Sequence, residues 1–195
     1  MKKLILVLTY ITVCHMVFAQ EKEQMSILKA DSTWAKEIIK FPIDWASDMT
    51  LTGFEEIRFH KNWSDKDSDA FWSIVIAWSV KADSPLTIND IESNFDAYFN
   101  GLMKPNHWST DFPDPKVLFT KKDIEDKNEV FKGKMSLFDG FHTRKVIDIN
   151  ILAQQYFCKV KQTSIVVFRL SPQNTDHTIW KTLNTVELKS NVCEI

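Results

Sequence analysis

The stretch "FWSIVIAWSV", residues 71–80, constrains the fold most tightly. Read as a strand, it places Trp72, Ile74, Ile76, Trp78 and Val80 on one face and Ser73, Val75, Ala77 and Ser79 on the other. Bulk on one side and small residues on the other describe a strand buried on both faces, with the small face open to close approach by a covering layer. Trp72 and Trp78 stand six residues apart, about 20 Å along a strand, with two isoleucines between them. A sugar platform needs rings in water. Isoleucines on the same face belong in a core, and the sequence predicts that these two indoles lie there too.

The preceding segment "EEIRFHKNW" alternates differently. Ile57, Phe59 and Trp63 fall on one side, and Glu56, Arg58, His60 and Asn62 on the other. This pattern predicts a strand with one solvated face, joined to the next through the charged turn "SDKDSDA", residues 64–70. "LTINDIESNFDAYFNGLM" predicts a helix capped by Thr87, with Asp90 completing a capping box, and an apolar stripe of Ile88, Ile91, Phe95, Tyr98, Phe99 and Leu102. The proline-rich "KPNHWSTDFPDP" reads as an irregular connection. A strand meander follows, with a tight turn expected at Asp139-Gly140 and further strands in "KVIDINIL" and "SIVVFRL". A last helix is expected from about Asp176 past Leu188, with Ile179, Trp180, Leu183 and Val186 as its stripe. Strands, helix, meander, helix spell an α+β fold: an antiparallel sheet with helices packed on it, expected as a single domain. Alternating βαβ units are absent.

The N-terminus reads as an address. Lys2 and Lys3 precede an apolar run from Leu4 to Phe18, and the chain turns polar at Gln20 after Val17-Phe18-Ala19. This pattern predicts a secretory signal peptide over residues 1–19 and a mature domain over 20–195. The run is too short for the ~20 residues of a spanning helix, and Val13 before Cys14 argues against a lipid-modified cysteine. Export places the protein in the periplasm, at the outer membrane or outside the cell, with no membrane-spanning segment left after cleavage. Cleavage takes Lys2 and Lys3 with it and moves the net charge from −2 to −2 − 2 = −4. With that mild acidity and no basic block, nucleic acid is not an expected partner. Of three cysteines, Cys158 and Cys193 would remain. They are candidates for a disulfide or two separate buried thiols.

No motif for esterase, zinc-protease or dithiol chemistry occurs. Four glycines in 195 residues, against about 14 at average usage, leave no glycine-cradled phosphate loop. No cofactor is expected. Asp65, Asp67 and Asp69 alternate as calcium-loop acids do, but Ala70 and Ile76 stand where that loop wants glycine and glutamate. His107, Ser109 and Asp111 supply triad residue types too close together to surround one imidazole. His142 and His177 lack a second ligand at metal spacing. The candidate binding residues are Glu56, Arg58, His60 and Trp63. They could form a polar pocket or sheltered acid–base machinery, or simply pair across a solvated sheet face.

"WAKEIIKFPIDW", "EEIRFHKNW", "FWSIVIAW", "YFNGL" and "FRLSPQNTDHTIWKTL" together resemble a family of exported bacterial proteins to which no activity is assigned. That resemblance implies one exported domain and carries no catalytic residue. The order of elements is also similar to the PsbP and Mog1 type of sandwich, an analogy of fold only. The expected function is a non-enzymatic envelope protein that binds another envelope protein or a glycan. The alternatives are a hydrolase centred on Glu56, Arg58 and His60, and a carbohydrate-binding module using Trp63 or Trp108.

Overall fold

The computed structural model describes residues 25–104, 113–125 and 128–194. The strands are β1 (Leu28–Lys29), β2 (Ala35–Phe41), β3 (Gly53–Phe59), β4 (Ile74–Lys81), β5 (Lys116–Glu125), β6 (Asn128–Phe138), β7 (Val146–Cys158), β8 (Thr163–Ser171) and β9 (Glu187–Leu188). Helix α1 spans Ile88–Met103 and helix α2 spans Ile179–Leu183. Seven strands form one sheet in the order β2-β3-β4-β8-β7-β6-β5, and every pairing in it is antiparallel. The architecture is α+β. Two meanders, β2-β3-β4 and β5 to β8, join where β8 docks beside β4. The link from β4 to the far edge strand is α1, which crosses one face of the sheet.

The two-faced strand read in the sequence is β4, at the centre. Ile74, Ile76, Trp78 and Val80 face α1, in one core with Phe95, Phe99 and Phe168. Val75 and Ala77 face the opposite core, with Leu28, Trp34, Trp180 and Leu183. Trp72 lies outside the strand, in the left-handed backbone region at φ 51°. It is buried against the α1 side all the same. The capping box at Thr87 and Asp90 forms as the sequence predicts. Helix α1 also closes the sheet's edge: Glu92 accepts a hydrogen bond from the Phe119 N–H, and Asp96 from that of Val117. Edge amides that would otherwise face an approaching strand are thereby satisfied.

The second face differs from expectation. Glu56 and Arg58 do not face water. The chain's N-terminal segment lies over them, and Glu56 is fully buried. Its carboxylate accepts the Ile27 and Leu28 N–H groups at 2.6 and 2.9 Å and the Ser26 hydroxyl at 3.2 Å. Arg58 pairs with it at 2.6 Å and donates to the Leu28 carbonyl. Alternation alone cannot distinguish a polar face that is wet from one that grips a distant segment. β1, only two residues long, pairs with β9 and carries no periodicity of its own.

The C-terminal helix is shorter than expected. α2 stops at Leu183, and the chain then turns into β9. Arg169 on β8 explains the stop, donating to the carbonyls of Leu183 and Val186 that a longer helix would use internally. Ile179, Trp180, Leu183 and Val186 are buried as their spacing suggests. The Asp139-Gly140 turn also widens: the loop runs from 139 to 145, because the Asp139 carboxylate collects the N–H groups of Phe141, His142 and Thr143. β2 and β5, which alternation did not predict, complete the sheet's two edges.

Cys158 and Cys193 are bonded, with Cα atoms 5.3 Å apart across 35 residues. The bridge ties the end of β7 to the last turn, which covers the second face. Closing a loop of that length stabilises the fold by about 4 kcal/mol in the chain-entropy view. The C158A/C193A protein is expected to lose stability of that order in denaturant unfolding. A midpoint equal to that of the parent protein would contradict this.

Candidate functional site

A cavity of about 310 Å³ opens between the C-terminal half of α1 and the β2-β3-β4 end of the sheet. The parity of three strands builds its floor: Glu37 and Ile39 from β2, Ile57 and Phe59 from β3, and Ile74 and Ile76 from β4 share the α1-facing side. α1 supplies Tyr98, Phe99 and Leu102 as one wall. Trp45 stands opposite, on the 3₁₀ turn Asp44–Ala46, its ring 5.2 Å from that of Tyr98. Trp63 and Trp72 come from the β3–β4 connection and Phe141 from the β6–β7 loop.

Gly101 allows this closeness. A Cβ there would come within 2.1 Å of the Trp45 carbonyl oxygen, so only glycine lets the helix lie against the 3₁₀ turn. Trp63 is held edge-on between rings, perpendicular to Trp72 at 6.1 Å and against His142 at 5.0 Å. Trp45 and Phe141 are partly open to solvent at the rim, 38% and 41% exposed. Two buried nitrogens in this aromatic nest, Nε1 of Trp72 and Nε2 of His142, find no protein partner.

Beneath Tyr98 lies a buried carboxyl. Glu55 accepts hydrogen bonds from the Tyr98 hydroxyl at 2.6 Å and from Trp78 Nε1 at 3.1 Å. Burial pushes its pKa up to about 7, the two hydrogen bonds oppose that rise, and the charge of Glu37 adds to it. Burial likewise raises the Tyr98 phenol well above its ordinary value, so it stays a hydrogen-bond donor. The wall residue Tyr98 is therefore fixed from behind by a group that changes charge near neutral pH.

The candidates from the sequence divide between the two faces. Trp63 lines the cavity. Glu56 and Arg58 lie on the opposite side of β3 and hold the N-terminal segment. His60 meets the edge of Trp34 at 5.4 Å on that same side, and burial lowers its pKa. The four do not converge on one point. Glu37, Trp45, Tyr98 and Phe141 belong to the cavity but were not candidates from sequence. A usable signal lay in α1, whose stripe is broadest at Tyr98, Phe99 and Leu102, and in Phe141, a phenylalanine inside a turn.

The other motifs have plain surroundings. Asp65 accepts from the Asp67 N–H within its own exposed turn. His177 accepts from the Ile179 N–H at the start of α2. His107, Trp108, Ser109 and Asp111 lie outside the described residues, as do residues 1–24. Among the described residues, no three of His, Cys, Asp and Glu gather as metal ligands. No helix among them is long and apolar enough to cross a membrane. Comparison with family models, with curated proteins and with solved structures yields no match to this chain.

Because Glu55 has a folded-state pKa above its unfolded value of 4.5, it favours folding most while protonated. Its contribution is complete below pH 4.5 and is lost as pH rises to about 7. That gap corresponds to roughly 3 kcal/mol. Denaturant unfolding at pH 5 and pH 8 should show the parent protein losing stability over this interval, and E55Q losing much less of it. Equal losses in the two proteins would show that Glu55 is not the titrating group.

Proposed function

We propose that this is an exported, non-enzymatic binding protein that holds a small, largely apolar molecule in the aromatic cavity. One observation carries the reading: rings from four separate segments (the 3₁₀ turn, the β3–β4 connection, α1 and the β6–β7 loop) converge on one space. A volume of about 310 Å³ sits at the small end of ligand pockets, which run to about 1,000 Å³. Trp45 and Phe141 leave the rim open for entry. The unpartnered Trp72 Nε1 offers a donor to a ligand oxygen; such a buried donor costs about 1–3 kcal/mol when unmet.

The hydrolase alternative draws no support from the positions of its residues. The hydrogen bonds that Glu56 accepts from the described residues come from residues 26–28 and from Arg58, and the side chain is fully buried, with no approach for a substrate. For a carbohydrate-binding module, the cavity that Trp63 lines is mostly apolar, and sugar hydroxyls would go unpaired there. Export rests on the leader-like residues 1–19 and is consistent with the Cys158–Cys193 disulfide, a bond that persists in oxidising compartments. In this reading the mature domain runs from Gln20 and acts in the periplasm or beyond it.

N-Phenyl-1-naphthylamine, a neutral dye that brightens in apolar surroundings, tests the cavity. The mature protein should bind it at one site. W63A and F141A, both altered near the rim, should each weaken binding about tenfold, or about 1.4 kcal/mol, while remaining folded. Unchanged affinity in both variants would remove the cavity as the site. Mass spectrometry of the exported protein should give a chain beginning at Gln20. A chain retaining residues 1–19 would contradict the cleavage.

A further inference from the structure

Resting on the cavity reading, the geometry points to one ligand class: we infer that the site takes an organic ammonium ion, with its charged head among the rings and beside Glu37. The argument begins with charge. Among the described residues lining the cavity there is no lysine or arginine and one carboxylate, the exposed Glu37; His142 stands behind the rings of Trp63 and Phe141 and outside the lining. A ligand bearing a carboxylate or phosphate would meet Glu37 with nothing to offset it. A positive head meets the reverse situation.

The rings make the same selection. An aromatic face carries negative potential, and a cation within about 6 Å of a ring centre gains about 0.5–2 kcal/mol, most from tryptophan and most when desolvated. Here Trp63 and Trp72 meet edge to face, their planes at 90° and their centres 6.1 Å apart, so each faces the cavity in a different direction. Trp45 and Tyr98 form a second edge-to-face pair, inclined at 67°. The Tyr98 hydroxyl donates to Glu55, which makes that ring more electron-rich. Perpendicular rings suit a compact, rounded head that touches several faces at once. A flat neutral ring would stack on one of them alone.

A quaternary head with methyl groups fits best. It has no N–H to satisfy, so it enters an apolar space without leaving donors unpaired. A primary ammonium would bring three donors into a lining that offers few acceptors. Glu37 is exposed, so it can accompany the charge from solvent without a large desolvation cost of its own.

Choline and its uncharged isostere 3,3-dimethylbutan-1-ol differ in charge and hardly in shape. Calorimetric titration of each into the mature protein tests the inference directly. Choline is expected to bind about tenfold or more tightly than the alcohol. E37Q should reduce choline affinity several-fold and leave the alcohol unchanged. W63A should weaken both. Equal binding of the two ligands, tighter binding of the alcohol, or an E37Q affinity equal to that of the parent would overturn the cation assignment. So would binding of neither. None of these results touches the cavity itself, which stands or falls on N-phenyl-1-naphthylamine: a protein that binds the dye but does not prefer choline has the pocket and lacks the charge selectivity.

Discussion

The buried Glu56 carboxylate is the interaction on which the arrangement depends. It gathers two backbone N–H groups and a hydroxyl from residues 26–28 and pairs with Arg58 beside them. A carboxylate this deep is costly unless each lone pair is met, and here three protein donors and a guanidinium meet them. The consequence is topological. Residues 26–28 are drawn across the second face of the sheet, where β1 pairs with β9 and Ile27, Leu28, Val186 and Leu188 join Val75, Ala77, Ile165 and Val167 in one core. With Trp34 and Trp180 buried in that layer, the rings that gather around one space are those on the α1 side, while the second face keeps a more polar hollow beside Tyr156, Arg169 and Lys189.

The division of the tryptophans follows. Trp34 and Trp180 seal the second face, and Trp78 fills the centre of the first. Trp45, Trp63 and Trp72 surround the cavity. No difference in residue type separates these groups. What separates them is the face together with the local backbone: Trp78 sits inside a strand and Trp180 on α2, whereas Trp45, Trp63 and Trp72 sit on turns of the α1 side, where side chains can be aimed together from different directions; Trp34 also sits at a bend, on the second face. Trp72 belongs to both categories. It is buried like a core residue, yet its left-handed backbone turns it toward the cavity.

Much of the fold was legible because its signals are local. The two-faced pattern of β4, the capping box of α1 and the alternation of β6 and β7 each arise within a dozen residues. The second-face clamp was not legible, since Glu56 and Leu28 are 28 residues apart and a gripping carboxylate alternates along its strand just as a solvated one does. The length of α2 was also hidden: Arg169 intercepts its carbonyls from another strand. For the site, Trp63 could be singled out because it follows the strand's apolar side to its end, beside the charged turn 64–70. Its partners could not, because Trp45, Phe141 and Tyr98 come together only through the close passage of α1 at Gly101 and the 139–145 loop held by Asp139.

The central claim of the proposal is that the rings of the α1-side cavity, and not Trp34 and Trp180 on the opposite face, take the apolar ligand. The indole N–H resonances of the ¹⁵N-labelled protein report on both faces in one spectrum. On addition of N-phenyl-1-naphthylamine, the signals of Trp63 and Trp72 should shift with ring-current changes while those of Trp34 and Trp180 hold their positions. Movement of Trp34 and Trp180, with Trp63 and Trp72 unperturbed, would place the ligand on the sealed face and contradict the claim.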